Sequence, residues 1–319
     1  MKHWKYWQIL IIVAMLALIG KYLFSHQAEL ERLKHISSTD LILLGLTSFC
    51  INIAYSLLGF VVLLELGMKK LRLVPWFEIF VISRFLNFHV PQGANVFRSV
   101  KLKKEYDFPY TSSIKQISFV SWFNLIMTLT VSAGVLGIVN PGISLKGINV
   151  LAALAVLIAF VTASPFLIKS ILKPLKLGHE KMIWVRSKAD ELITTMYDFI
   201  STPKLLGLIF LIGLAQFFLF LVIMHLGFHA INHPLGLESL VILSAIMTTS
   251  RIFNIVPGNL GITESLCGIF SHLLEGALGL GIIVSGLIRL VDYIVVGIMT
   301  ALFVRSFPIR KNELDVNLK

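Results

Sequence analysis

Six stretches of this chain, residues 6–20, 41–64, 116–139, 148–168, 205–228 and 279–304, are apolar almost throughout. A bilayer's hydrocarbon core takes about 20 apolar residues per crossing helix. A backbone in lipid must also satisfy its own hydrogen bonds, which leaves helices as the fold for runs of this kind. The first run is short, but Tyr6, Trp7, Tyr22 and Phe24 extend it at the interfaces. Only 14% of the 319 residues are charged and 56% are hydrophobic, far from the balance of a soluble domain of this size. The sequence therefore predicts an all-α polytopic membrane protein forming a single integral membrane domain over 1–319. It has about six full spans plus two re-entrant or broken helical hairpins.

The net charge of +11 is a matter of orientation. With the N-terminus inside, 21 of the 28 Lys and Arg residues fall in cytoplasmic segments, and four (Lys21, Arg32, Lys34 and Lys146) fall outside. That is the bias of the positive-inside rule. It points to a multi-pass protein of a bacterial inner membrane with both termini cytoplasmic. It also argues for anionic headgroups, and against nucleic acid, as the partner of the basic residues. The N-terminus resembles a signal peptide, but Lys21-Tyr22-Leu23-Phe24 follows Gly20 without a small-x-small site, so an uncleaved first span is expected.

Two regions resist description as spans. Residues 75–90 hold Glu78, Arg84, Asn87 and His89 in a piece only about 24 Å long as a helix. Residues 238–256 contain Arg251 and Asn254 and stop at Pro257-Gly258. Ser83-Arg84-Phe85-Leu86-Asn87-Phe88-His89-Val90-Pro91 aligns with Ser250-Arg251-Ile252-Phe253-Asn254-Ile255-Val256-Pro257 across one gap at His89, with Ser, Arg, Asn, Val and Pro identical. Duplication explains a shared Arg-x-x-Asn before a Pro break. The span count makes the two copies open to opposite sides, the inverted arrangement of many transporters.

Arg84, Arg251 and Arg289 lie inside apolar sequence, each at about 2.5–3.5 kcal/mol on insertion scales, and so require partners or water. Asp292, three residues after Arg289, reads as its ion-pair partner on one helical face. Glu264 reads as a second acid within reach of Arg251 or Arg289. Two readings stand: arginines that pair to hold the bundle, or arginines that bind a mobile anion. The turn Gly258-Asn259-Leu260-Gly261 before a restarting helix adds N–H donors, as Pro91-Gln92-Gly93-Ala94-Asn95 does more weakly. The second copy thus reads as the more specific site.

Residues 178–200 read as a cytoplasmic interfacial helix, with Met182, Ile183, Leu192, Ile193, Met196 and Phe199 as one stripe. His225, His229 and His233 share a helix face, but no Cys or Asp nearby completes a metal set, and Cys50 and Cys267 lie far apart in apolar runs. Neither metal nor cofactor is expected, and no hydrolase, kinase or zinc-protease motif occurs.

Val256-Pro257-Gly258-Asn259-Leu260-Gly261-Ile262-Thr263-Glu264 resembles the Pro-Gly-x-x-Gly-x-x-Glu motif of the lysylphosphatidylglycerol synthase transmembrane region. Arg84 with Pro91, Gly93 and Arg98 is similar to that family's upstream element, and Arg289 to its late arginine. The resemblance covers roughly residues 70–300. It implies a flippase-like core over 70–304 that moves or accommodates anionic lipids. Substrate would then meet Arg84, Asn87, Arg98, Arg251, Asn254, Gly258, Gly261, Glu264 and Arg289, with Pro91 and Pro257 as structural breaks. Full-length synthases carry a following aminoacyl-transferase domain. The sequence to Lys319 shows none, so lipid aminoacylation is not expected. The leading expectation is a transporter of an anionic or polyprenyl-phosphate-linked lipid. The alternatives are an integral-membrane transferase acting on lipid-linked sugars, with Glu264 or Asp292 as general base, and an accessory subunit of an envelope pathway.

Overall fold

The computed structural model describes residues 20–21, 31–172, 180–250 and 256–306. Among these it is an all-α membrane protein: α1 (Ser38–Glu65), α2 (Leu73–His89), α3 (Gly93–Tyr106), α4 (Tyr110–Val139), α5 (Val150–Leu172), α6 (Glu180–Ser201), α7 (Pro203–Ala230), α8 (Leu237–Ser250), α9 (Ile262–Glu275) and α10 (Leu278–Ser306). The only strands among the described residues are β1 (Ser144–Leu145) and β2 (Ile148–Asn149), which pair in the α4–α5 turn.

Four helices, α1, α4, α7 and α10, are long and apolar enough to cross a membrane. Their starts are set locally. Ser37 caps α1 by accepting the Asp40 N–H at 3.0 Å, and Pro203 opens α7, where its missing N–H is no loss. Helix α5 holds a shorter apolar stretch, Val150–Pro165, and the predicted first span, 6–20, lies outside the described residues.

Between the long helices sit the two predicted hairpins. Helix α2 has 17 residues and α3 and α9 have 14 each, and α8 is described as far as Ser250. At 1.5 Å per residue α2, α3 and α9 reach about 21–25 Å, short of a hydrocarbon core of about 30 Å. Helix α2 packs on α3, and α8 on α9. The base of the first pair lies beside Lys69 and Lys70, where Leu71 meets Phe108 in a small buried cluster.

Close backbone approach seats both hairpins. The Trp76 indole of α2 donates to the Ser56 carbonyl of α1 at 2.7 Å, across Gly59, where a Cβ would lie 2.9 Å from the Trp76 ring. Helix α9 meets α10 at Gly281, where a Cβ would stand 2.3 Å from the Cys267 carbonyl oxygen. The largest buried cluster then closes around α1, α7, α8 and α10, with Phe220, Phe228, Val241 and Val284 fully enclosed.

Helix α6 turns the later part of its apolar stripe onto protein; the side chains of Met182, Ile183 and Leu192 lie outside the described residues. Ile193, Met196 and Phe199 are buried, and Phe199 packs 4.5 Å from Phe119 of α4, while Lys115 pairs with Glu191 at 2.6 Å. The stripe residues Ile193, Met196 and Phe199 thus pack inward, whereas Tyr197 and Ile200 face out.

Gly281→Ala is expected to lower the melting temperature in detergent, by the equivalent of about 1–3 kcal/mol of overpacking, because the obstructing atom is backbone. Gly207→Ala, with open space around it, is the control and leaves the temperature unchanged or raised. Equal responses from the two variants would contradict the close α9–α10 contact.

Candidate functional site

Both hairpins break in the same local way. After Pro91 the chain enters the left-handed region at Gln92 (φ 59°), and after Pro257 it does so at Gly258 (φ 55°). Glycine adopts this conformation freely; Gln92 does so against a steric preference. The preceding serines also match. Ser83 donates to the Phe80 carbonyl at 2.7 Å and Ser250 to the Met247 carbonyl at 2.9 Å, and both are buried.

The two tips meet. A Cβ on Gly258 would stand 3.2 Å from the Phe88 ring and 3.4 Å from its Cα, so the turn of one hairpin rests on the end of the other. The second break is then tied shut. Asn259 donates to the Ser250 carbonyl at 2.5 Å, and its own carbonyl accepts from Arg289 at 3.0 Å. Glu264 Oε2 takes the Gly261 N–H at 2.7 Å, where φ 84° suits only glycine.

The buried charges pair across helices. Arg84 of α2 donates to Asp292 of α10 at 2.9 Å, while the other oxygen of Asp292 accepts from Ser48 at 2.8 Å and Asn52 at 2.9 Å, both on α1. Arg289 lies 3.0 Å from Glu264 in an ion pair too oblique for a hydrogen bond at that nitrogen. Arg289 and Asp292, expected to pair along one helix face, each meet a partner from another element, in two crossed pairs. The tip contact brings Arg84 onto Asp292, and the cap at Gly261 holds Glu264 against Arg289. Glu264 is 6% exposed and Asp292 4%, so each carboxylate needs such partners to stay charged.

Arg98 of α3 differs. It donates to Asn95 Oδ1 at 2.6 Å and to the Ala94 carbonyl at 3.3 Å, and no described carboxylate pairs with it. Asn95 in turn donates to Gln92 at 2.6 Å.

Three neighbouring cavities share walls at these residues. A polar cavity of about 190 Å³ is walled by Arg84, Asn87, Arg98, Gln116 and Asn124. A smaller one, about 90 Å³, is walled by Arg84, Asn87, Gly258, Asn259 and Arg289. An apolar groove of about 550 Å³ runs from there along α10 and shares Phe88, Gly258 and Arg289 with the small cavity. Gly261 and Glu264 also line it. The structure thereby collects Arg84, Asn87, Arg98, Gly258, Gly261, Glu264 and Arg289, whereas Arg251 and Asn254 lie outside the described residues. Sequence reasoning missed Ser48 and Asn52, whose spacing of four in an otherwise apolar run marks one polar helix face. It also missed Gln116 and Asn124, polar residues early in α4, and Tyr55, whose ring lies 5.7 Å from the Arg84 guanidinium.

The family model described as lysylphosphatidylglycerol synthase TM region matches residues 6–299. No curated protein and no solved structure matches the chain.

Asp292→Ala leaves the part-buried Arg84 without its acid and two donors on α1 unanswered, and is expected to destabilise the protein by about 1–3 kcal/mol, read as a fall in melting temperature. Adding Arg84→Met should restore part of that loss. An additive double variant would contradict the pair.

Proposed function

The chain belongs to the lysylphosphatidylglycerol synthase TM region family, and on that basis we propose that it is a flippase-like transporter of an anionic or polyprenyl-phosphate-linked lipid. The family ties this multi-pass membrane protein to lipid handling; the transport role is our reading of the site. Its setting is the bacterial inner membrane, with both termini cytoplasmic, as the charge bias suggests.

One observation carries the proposal. Arg98 has no carboxylate partner among the described residues and lines a polar cavity that shares the walls Arg84 and Asn87 with a smaller one, which in turn shares Phe88, Gly258 and Arg289 with a largely apolar groove. A polar pocket beside an apolar groove has the shape of an amphiphile. A guanidinium with donors to spare is the group that binds phosphate by paired hydrogen bonds. Arg84 and Arg289 are already neutralised, so they shape the site, and Arg98 supplies the attraction. This moves the specific contact to the first hairpin, because Glu264 of the second is occupied by the Gly261 cap and by Arg289.

The two hairpins act as an inverted repeat that rocks about the Phe88–Gly258 contact, exposing the cavity to either leaflet. The shared left-handed residue after each proline and the matched serine bonds support common ancestry of the two copies. The transferase alternative asks for a free base at Glu264 or Asp292, and both accept hydrogen bonds from protein donors.

The test is reconstitution in vesicles with headgroup-labelled phosphatidylglycerol or a polyprenyl phosphate, followed by access of an impermeant quencher to each leaflet. Wild-type protein should move an anionic lipid without changing its mass. Arg98→Ala should slow movement about tenfold or more, the loss of one charge-assisted contact. Absence of movement for every anionic lipid tested, or an Arg98→Ala variant as fast as wild type, would overturn the proposal.

A further inference from the structure

A second apolar groove, of about 540 Å³, lies on the opposite flank of the α8–α9 hairpin, between α4, α5, α8 and α9. Leu136, Leu157, Ile242 and Phe270 are among its walls, and one basic residue, Lys146, stands at its rim. The position of Lys146 is fixed by its turn. Lys146 (φ 48°) and Gly147 (φ 82°) are the two left-handed residues of a tight hairpin in which Leu145 faces Ile148. Asn149 then caps α5 by accepting the Ala152 N–H at 2.9 Å. No described carboxylate pairs with Lys146.

Further in, the wall carries hydroxyls. Ser132 lies seven residues before the end of α4, about 10 Å along the helix. Its hydroxyl is buried without a hydrogen-bond partner among the described residues. Thr249 and Ser250 of α8 are also on the wall, and the Ser250 carbonyl holds the Asn259 side chain that borders the small central cavity.

We infer that this groove docks one anionic phospholipid, with its phosphate on Lys146 and one hydrocarbon chain laid along the groove towards the second break. The inference rests on the lipid-moving reading and names where the lipid waits on the side away from the basic segments. An occupant among membrane-crossing helices has to be apolar along its length, and an unpaired lysine at one end asks for an anion there. A lipid with an anionic head meets both demands. A zwitterionic lipid brings its own cation to the same lysine.

Native mass spectrometry of the protein with phosphatidylglycerol and phosphatidylcholine in equal amounts tests it. Lys146→Asn removes the charge yet places Asn-Gly in the turn, the pair that favours this hairpin, so the fold is kept. Ala153→Trp, at the groove wall, fills the space. Wild type should retain phosphatidylglycerol in preference. Lys146→Asn should reduce that preference about fivefold, the effect of one lysine near an anionic headgroup. Ala153→Trp should lose the bound lipid whatever its head. Retention without headgroup preference in wild type, or an unchanged preference in Lys146→Asn, would overturn the groove assignment and leave the transport proposal standing. Intact, charge-selective retention with no lipid movement in vesicles would overturn the transport proposal and leave the groove.

Discussion

A guanidinium inside an apolar bundle has to be neutralised, and that requirement organises this molecule. Arg84 reaches Asp292 across the α2–α10 interface, and Asp292 is held from its other side by Ser48 and Asn52 of α1. Two consecutive helices, α1 and α2, thus converge on one carboxylate of the sequence-distant α10. Arg289, one turn away on α10, is anchored by Glu264 and by the Asn259 carbonyl, which fixes the second hairpin's turn against the same helix. The two crossed pairs are why the hairpin tips meet at Phe88 and Gly258 and leave polar space beside them.

The backbone at the tips serves the same end. A helix of 14 or 17 residues that starts or stops inside the bundle leaves carbonyls or N–H groups needing partners. At the second break Asn259 and Glu264 provide them, each doing double duty with Arg289. At the first, Gln92, Asn95 and Arg98 form a chain of side-chain bonds instead, and that chain ends on a cation with no described acid beside it. The asymmetry between otherwise similar hairpins is what gives the proposed site its charge.

Much of this was legible in the sequence, for physical reasons. The apolar runs dictate helices of membrane length, and the Pro-Gly and Pro-Gln breaks dictate where the short ones stop. The pairing of Arg84 with Asp292 was not legible. Periodicity places Asp292 on the same face as Arg289, one turn away, yet only the tip contact reveals that Arg84 competes for it. Glu264 reads as an acid within reach of Arg289, and it lies there, but its cap on the left-handed Gly261 is a tertiary outcome of the break. The sequence directs attention to the second copy, and the cation with no carboxylate partner among the described residues, Arg98, lies in the first. The stripe on α6 has the period of an interfacial helix, and only packing against Phe119 shows that protein covers part of it.

The central claim is that the arginine-bearing tips enclose a site for an anionic headgroup, with Arg98 as the contact that carries it. Cryo-electron microscopy of the protein in nanodiscs containing an anionic lipid addresses this most directly. The account predicts phosphate density within hydrogen-bonding distance of the Arg98 guanidinium, with hydrocarbon density continuing into the groove beside Phe88 and Tyr293. A cavity empty of lipid, with Arg98 turned onto a protein carboxylate, would contradict it.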